Sequence, residues 1–378
     1  MKKKLTPKSK EEKLILFLCT EFSAMKKHNF SAGPCILPDE VMQQAAQAVQ
    51  ELDGSGLSLI EISHRSAAFI EIMEKACALA LELLGLTGKG YKALFLQGGA
   101  STQFLATAYN LLENKGAYLN TGTWSTKAIK EAKLLGEVVE VASSADANFN
   151  YIPKEYSVPA DADYLHITTN NTIFGTQIKA LPESDAVLVS DSSSDIFSRQ
   201  LDFSKFGILY AGAQKNMGPA GTTLVVVKEE VLGKVTHKIP SMLDYALHGS
   251  KDSMFNTPPV FAVYTSMLTL EWLQKLGGIK AIEAKNNAKA ELMYGEIDRN
   301  PLFKGFAAVE DRSTMNATFT LEAPELKERF DNMCAEALIN GINGHRSVGG
   351  YRASMYNALP LASVQTLVDV MKELERTA

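Results

Sequence analysis

Two spacings of apolar residues organise this chain. Stretches with apolar positions three and four apart read as helices, and short unbroken apolar runs read as buried strands. Residues 38–52 form a predicted helix entered through Pro38-Asp39, and 66–84 a second one closed by Gly85. A short strand over 92–96 runs into Gly98-Gly99 and a helical stretch over 101–112. A strand at 117–120 leads to a helix over 125–135, and Tyr164–Thr168 and Val187–Asp191 are strands again. Residues 207–212 and 222–228 read as a strand pair enclosing the loop 215–221. A long helix over 278–298 leaves this region. Beyond it lie a strand over 315–321, a helix over 324–340 and a closing helix over 363–376 with Ser363 as its N-cap. Helices alternating with buried strands predict an α/β fold, a parallel sheet covered by helices, with a smaller α+β unit at the carboxyl end.

Composition narrows the function classes. The chain has 378 residues, 46% hydrophobic and 21% charged, enough for two domains with a sizeable core. A net charge of -5 gives no basis for general nucleic-acid binding. Cys19, Cys35, Cys77 and Cys334 show neither metal-ligand spacing nor a disulfide framework and read as reduced thiols, with no metal expected. Lys2-Lys3-Lys4 precedes a short apolar stretch, but Glu11, Glu12 and Glu21 break a signal-peptide pattern. Residues 1–24 are therefore expected to be a disordered extension, with Met25 as the natural start. No run reaches the length of a membrane span, and a cytoplasmic location is expected.

Candidate chemistry centres on two strand ends. Lys215 follows the apolar run Ile208-Leu209-Tyr210 through the small residues Ala211-Gly212-Ala213, and Asp191 closes Val187-Leu188-Val189-Ser190. A lysine and an aspartate so placed are the minimum apparatus for pyridoxal phosphate: the amine bonds to the aldehyde, and the carboxylate keeps the pyridine nitrogen protonated. A burying environment disfavours the ammonium form and makes the amine a better nucleophile. A helix cap for Asp191 and a solvated lysine at 215 are the plainer meanings of each residue alone. Gln97-Gly98-Gly99-Ala100-Ser101-Thr102, between strand and helix, offers amides and hydroxyls to a phosphate, although a tight turn also uses Gly-Gly. Trp124 just beyond a strand end can stack on a pyridine ring or simply pack in the core. Thr172 is a candidate donor to the cofactor's phenolic oxygen, or a turn residue. His64-Arg65, His345-Arg346 and Arg352 suit a substrate bearing a phosphate and an α-carboxylate, with surface salt bridges as the other reading.

Asn29-Phe30-Ser31-Ala32-Gly33-Pro34, Glu61-Ile62-Ser63-His64-Arg65, Tyr210-Ala211-Gly212-Ala213-Gln214-Lys215-Asn216, Ser253-Met254-Phe255-Asn256-Thr257-Pro258-Pro259 and Gly344-His345-Arg346 with Gly349-Gly350-Tyr351-Arg352-Ala353-Ser354 occur in order from about His28 to the carboxyl end. Together they resemble the phosphoserine aminotransferase family. The resemblance implies a fold-type I, class V aminotransferase with a mainly parallel, seven-stranded-type sheet, working as a homodimer with active sites at the subunit interface. It implies a segment 25–38 contributing to the active site, a large cofactor domain over 39–280 and a small domain over 281–378. It assigns Lys215 to the covalent bond with pyridoxal phosphate, Asp191 to the pyridine nitrogen and Trp124 to stacking. Ala100, Ser101, Thr172 and Gln214 would hold the cofactor, with Asn256 and Thr257 reaching the phosphate of the neighbouring subunit. Arg352 would take the substrate carboxylate. His64, Arg65, His345 and Arg346 would form the pocket for the substrate phosphate or the glutamate side chain. Ala32 stands where many relatives carry a serine, and Ser101 where some bacterial relatives carry an arginine; both departures are expected to alter affinity rather than chemistry.

The implied reaction transfers an amino group from L-glutamate to 3-phosphohydroxypyruvate, giving 2-oxoglutarate and O-phospho-L-serine for serine biosynthesis. Lys215 would serve as general base on the α-proton. The family also acts, in some bacteria, on 3-hydroxy-2-oxo-4-phosphobutanoate in vitamin B6 synthesis. Rival readings keep the cofactor: an alanine–glyoxylate-type aminotransferase, a cysteine desulfurase, or a non-catalytic cofactor-binding regulator. A desulfurase would want a cysteine on a mobile loop, and a regulator a fused DNA-binding module; the sequence offers neither. The expected partners are small molecules and a second copy of the chain, with no nucleic acid and no membrane.

Overall fold

A computed structural model describes residues 26–346 and 348–378. The expectations for residues 1–24, Met25 and Cys19 concern positions outside them.

Seven strands form the main sheet: β1 (Tyr91–Leu96), β2 (Lys115–Asn120), β3 (Glu137–Ser143), β4 (Tyr164–Thr168), β5 (Val187–Asp191), β6 (Phe206–Gly212) and β7 (Thr223–Lys228). Their spatial order is β1-β7-β6-β5-β4-β2-β3. All neighbours run parallel except β7, which is antiparallel to both β1 and β6. Every residue of β6 is buried, as expected of a central strand covered on both faces. Alternate residues feed two cores. Phe95, Leu119, Leu165, Leu209 and Val226 pack with helices Asp39–Gln50, Ala67–Leu83 and Val260–Lys275. Leu94, Tyr118, Tyr164, Val189, Tyr210 and Val225 pack on the other face with helices Gly99–Leu111 and Thr123–Ala132. The period of two along each strand thus sorts side chains between the helical layers.

A third core joins the long helix Gly278–Arg299 to a three-stranded antiparallel sheet, β8 (Phe303–Gly305), β9 (Asn316–Leu321) and β10 (Tyr351–Ser354), and to helices Lys327–Glu336 and Leu361–Thr377. Phe30 belongs to this core, because His28–Asn29 pairs in parallel with Ile339–Asn340.

Two expected elements differ. The helix over 324–340 is a 3-10 turn, Pro324–Leu326, then an α-helix that stops at Glu336. Leu338 adopts φ 59°, which ends the helix and frees Ile339–Asn340 to pair as a strand. The closing helix begins at Leu361 after Pro360, so Ser363 lies inside it; its buried hydroxyl meets His28 Nδ1 at 2.8 Å instead of capping. Helix Val260–Lys275 and edge strand β3 carry no clear sequence period. The helix is buried without a break from Ala262 to Leu270, so no polar face marks it. β3 is an exposed edge in which Glu137 and Glu140 interrupt the apolar residues.

Candidate active site

The carboxyl ends of β1, β2, β4, β5 and β6 converge on one cavity of about 390 Å³. Crevices at this edge of a parallel sheet are where α/β proteins bind ligands, because loops there fan outward beside helix amino termini. Ala32 and Gly33 of the amino-terminal segment close one side, and His345 and Arg352 of the small-sheet region close another.

Lys215 sits on the four-residue helical turn Ala213–Asn216 that follows β6. Its Nζ donates to Thr172 Oγ1 at 2.8 Å. Burial lowers the amine from 10.5 to about 8; Asp191 acts against this shift and Arg352 adds to it. The turn is fixed from below, where Asn216 Nδ2 donates to Ile196 O and Asn216 Oδ1 accepts from Asn357 N, both at 2.9 Å. The thiol of Cys35 donates to the carbonyl of Lys215.

Asp191 is the last residue of β5 and is 5% exposed. Its Oδ1 accepts from Ser193 N at 3.0 Å. Burial raises its carboxyl above the usual carboxylate range, while Lys215 and Ser193 pull it down. A buried carboxyl in this condition gains most from a cation set against it.

Helix Gly99–Leu111 opens at the cavity, with Gly99, Ala100 and Ser101 in the wall. Amides of a first helical turn lack intrahelical acceptors and favour an anion. Gly98 holds φ 103°, and a Cβ there would lie 2.2 Å from Thr102 Oγ1, so the entry to this helix needs glycine. Trp124 projects from helix Thr123–Ala132, whose start is fixed by Ser125 Oγ accepting from the amides of Thr121 and Gly122 at 3.0 Å each.

These residues fit pyridoxal phosphate. Trp124 Nε1 and Arg352 Nε are buried yet find no hydrogen-bond partner among the described residues, as expected of groups built to face a ligand. An amine of depressed pKa, a buried carboxylate, an indole and a helix amino terminus share one cavity, matching the aldehyde, pyridine nitrogen, ring and phosphate of that cofactor.

Ala100, Ser101, Trp124, Thr172, Asp191, Gln214, Lys215, His345 and Arg352 all line the cavity. Arg352 Nη1 donates to Thr172 O at 3.4 Å, and burial lowers its guanidinium. His345 is held below its usual value by partial burial, then by Arg352, Arg346 and Lys127. His64, Arg65, Asn256, Thr257 and Arg346 do not line this cavity. His64 is half-buried, Arg65 and Arg346 are exposed, and Thr257 O accepts from Gln97 Nε2 at 2.5 Å. Ala32, whose carbonyl accepts from Tyr356 Oη at 2.8 Å, and Ser101 line the wall, so both departures from the family pattern face the cavity. Sequence reasoning missed Ser193 and Phe104, which also line it. Ser193 was legible as the second residue after Asp191; Phe104 carries no signal beyond core packing.

The family model for class-V aminotransferases matches residues 27–367. The chain belongs to this family. Among its class-V relatives, a phosphoserine aminotransferase from Flavobacterium psychrophilum is 66% identical over 93% of this chain and 99% of its own length. One from Bacteroides fragilis is 54% identical over 93% and 99%. The solved phosphoserine aminotransferase from Bacillus circulans subsp. alkalophilus superposes with a TM-score of 0.90 at 42% identity, covering 93% of this chain and 99% of that one. A structure described as pyridoxal-phosphate-bound, from Trichomonas vaginalis, gives 0.87 at 36% identity over 92% and 100%. An alanine–glyoxylate aminotransferase from Nostoc, at 15% identity and a TM-score of 0.71, shares the fold.

Proposed function

We propose that the chain is a pyridoxal-phosphate-dependent transaminase converting 3-phosphohydroxypyruvate and L-glutamate to O-phospho-L-serine and 2-oxoglutarate. One observation carries this reading: the Lys215 amine, held by Thr172 at 2.8 Å, shares a cavity with the buried carboxylate of Asp191. The high identity to phosphoserine aminotransferases over nearly the whole chain supports the substrate pair.

Pyridoxal phosphate, when bound, supplies the electron sink that lets the substrate α-carbon lose a proton. Lys215 is the residue that would anchor it, Asp191 would sit against the pyridine nitrogen, and Trp124 would cover the ring. The amides of Gly99, Ala100 and Ser101 would receive the phosphate. The Lys215 amine would act as base on the substrate α-proton; a value near 8 leaves a usable neutral fraction at physiological pH. Thr172 Oγ1 orients that amine before reaction. Arg352 presents two-pronged donors to the substrate α-carboxylate, and Tyr356 braces the Ala32 wall opposite. His345 lines the wall beside Arg352, where its ring would face the distal carboxylate or phosphate.

We further infer a homodimer. Leu57, Ile60, Phe255 and Phe261 are large apolar residues exposed in the single chain, in or beside the same segments as His64-Arg65 and Asn256-Thr257. A second copy would cover them and bring those polar residues to this cavity.

Among the described residues, the thiols disfavour a desulfurase. Burial pushes Cys35, Cys77 and Cys334 each up to about 12, far from the thiolate such chemistry needs. The test is a coupled assay of 2-oxoglutarate release from glutamate with 3-phosphohydroxypyruvate as acceptor. Turnover with that acceptor in clear excess over pyruvate or glyoxylate is expected; equal turnover with glyoxylate would refute the substrate assignment.

A further inference from the structure

Lys127 is the cation at this site that neither the motifs nor the cavity wall single out. It lies one turn after Trp124 on helix Thr123–Ala132, and its side chain is exposed. Its Nζ lies 4.5 Å from the centroid of the Trp124 ring. Lys215 Nζ lies 5.5 Å from the same centroid, so the two amines share one indole. Lys127 makes no ion pair among the described residues. Its charge also reaches His345, which lines the cavity beside Arg352. An uncompensated ammonium held over an aromatic face keeps its charge available, because the ring quadrupole orients the amine without neutralising it.

We propose that Lys127 is a specificity-determining residue for the phosphorylated substrate, supplying through Trp124 and beside His345 the charge that favours a phosphate dianion over a carboxylate. The inference rests on the transaminase reading above and names a residue that sets its substrate preference. A dianion gains from each added positive charge about twice what a monoanion gains, since the Coulomb energy scales with the product of charges. Arg352 serves the α-carboxylate that both substrates carry, so it cannot discriminate between them. The Lys127 ammonium, held over the Trp124 ring and felt at His345, is not committed to that carboxylate and can.

The experiment measures binding to the holoenzyme of two unreactive analogues, 3-phosphoglycerate and glutarate, by calorimetry for the wild type, Lys127→Met and Lys127→Arg. Loss of an exposed charge contact predicts at most roughly fivefold weaker binding of 3-phosphoglycerate in Lys127→Met, with glutarate weakened less than about twofold. Lys127→Arg restores most of the loss. In turnover, KM for 3-phosphohydroxypyruvate rises in Lys127→Met while kcat with glutamate holds. Equal weakening of both analogues would make Lys127 a support for Trp124 and overturn the proposal, as would no change in either. A wild type that binds 3-phosphoglycerate yet fails to transaminate would instead sink the functional reading and leave the charge assignment standing.

Discussion

The depressed value of Lys215 gives the sharpest prediction, because it fixes when the chain can capture its cofactor. A lysine amine at its ordinary 10.5 is about 0.3% neutral at pH 8, whereas one titrating at about 8 is half neutral. Burial therefore increases the reactive fraction at pH 8 by roughly 150-fold. The perturbation is pH itself, applied to cofactor-free protein. Pyridoxal phosphate is added across pH 6 to about 11, the product is reduced with borohydride after a fixed short time, and the labelled peptide is quantified by mass spectrometry. Label is expected on Lys215, with a capture rate that rises through a midpoint near 8 and is flat above it. The sign of two variants follows from the groups around the amine. Asp191 raises the Lys215 value, so Asp191→Asn moves the midpoint to lower pH, while cofactor retention weakens for want of a partner at the pyridine nitrogen. Arg352 lowers it, so Arg352→Gln moves the midpoint upward. A midpoint near 10.5, or shifts of the opposite sign in the variants, would refute the reasoning.

Other predictions follow from single contacts. Thr172→Val removes the 2.8 Å bond to Lys215 and is expected to lower kcat about tenfold with little change in KM, read by steady-state kinetics. Gly98→Ala forces a Cβ to 2.2 Å from Thr102 Oγ1 at φ 103°; it is expected to cost about 2 kcal/mol in chemical denaturation and to speed cofactor loss on dialysis. Ile60→Glu, at a position 62% exposed in the single chain, is expected to shift the sedimenting species from dimer to monomer and to reduce activity with it; an unchanged dimer would count against the proposed interface.

The buried strands were legible because an α/β sheet covered on both faces imposes unbroken apolar runs. Tyr164–Thr168 and Val187–Asp191 fall where their residues predict them. Strands β6 and β7 start within a residue of their expected bounds. What failed was structure set by tertiary context. Val260–Lys275 is buried on nearly every side and shows no amphipathic period, and Ile339–Asn340 becomes a strand because His28–Asn29 lies beside it. At the site, residues at strand ends could be read because chain order alone brings Asp191, Thr172 and Lys215 to one edge of the sheet. Arg352 gathers with them through the packing of β10 rather than through any local pattern. Lys127 gave no sequence signal, since an exposed lysine on a helix looks like solvated surface until the Trp124 ring is placed beneath it.

The most direct measurement follows the cofactor's absorbance in one cuvette. Glutamate added to the loaded protein is expected to convert the aldehyde form to the amine form, and stoichiometric 3-phosphohydroxypyruvate to reverse it with release of O-phospho-L-serine. A protein that stays in the aldehyde form under excess glutamate, or one whose amine form is reversed as readily by pyruvate, would contradict the assignment of this cavity.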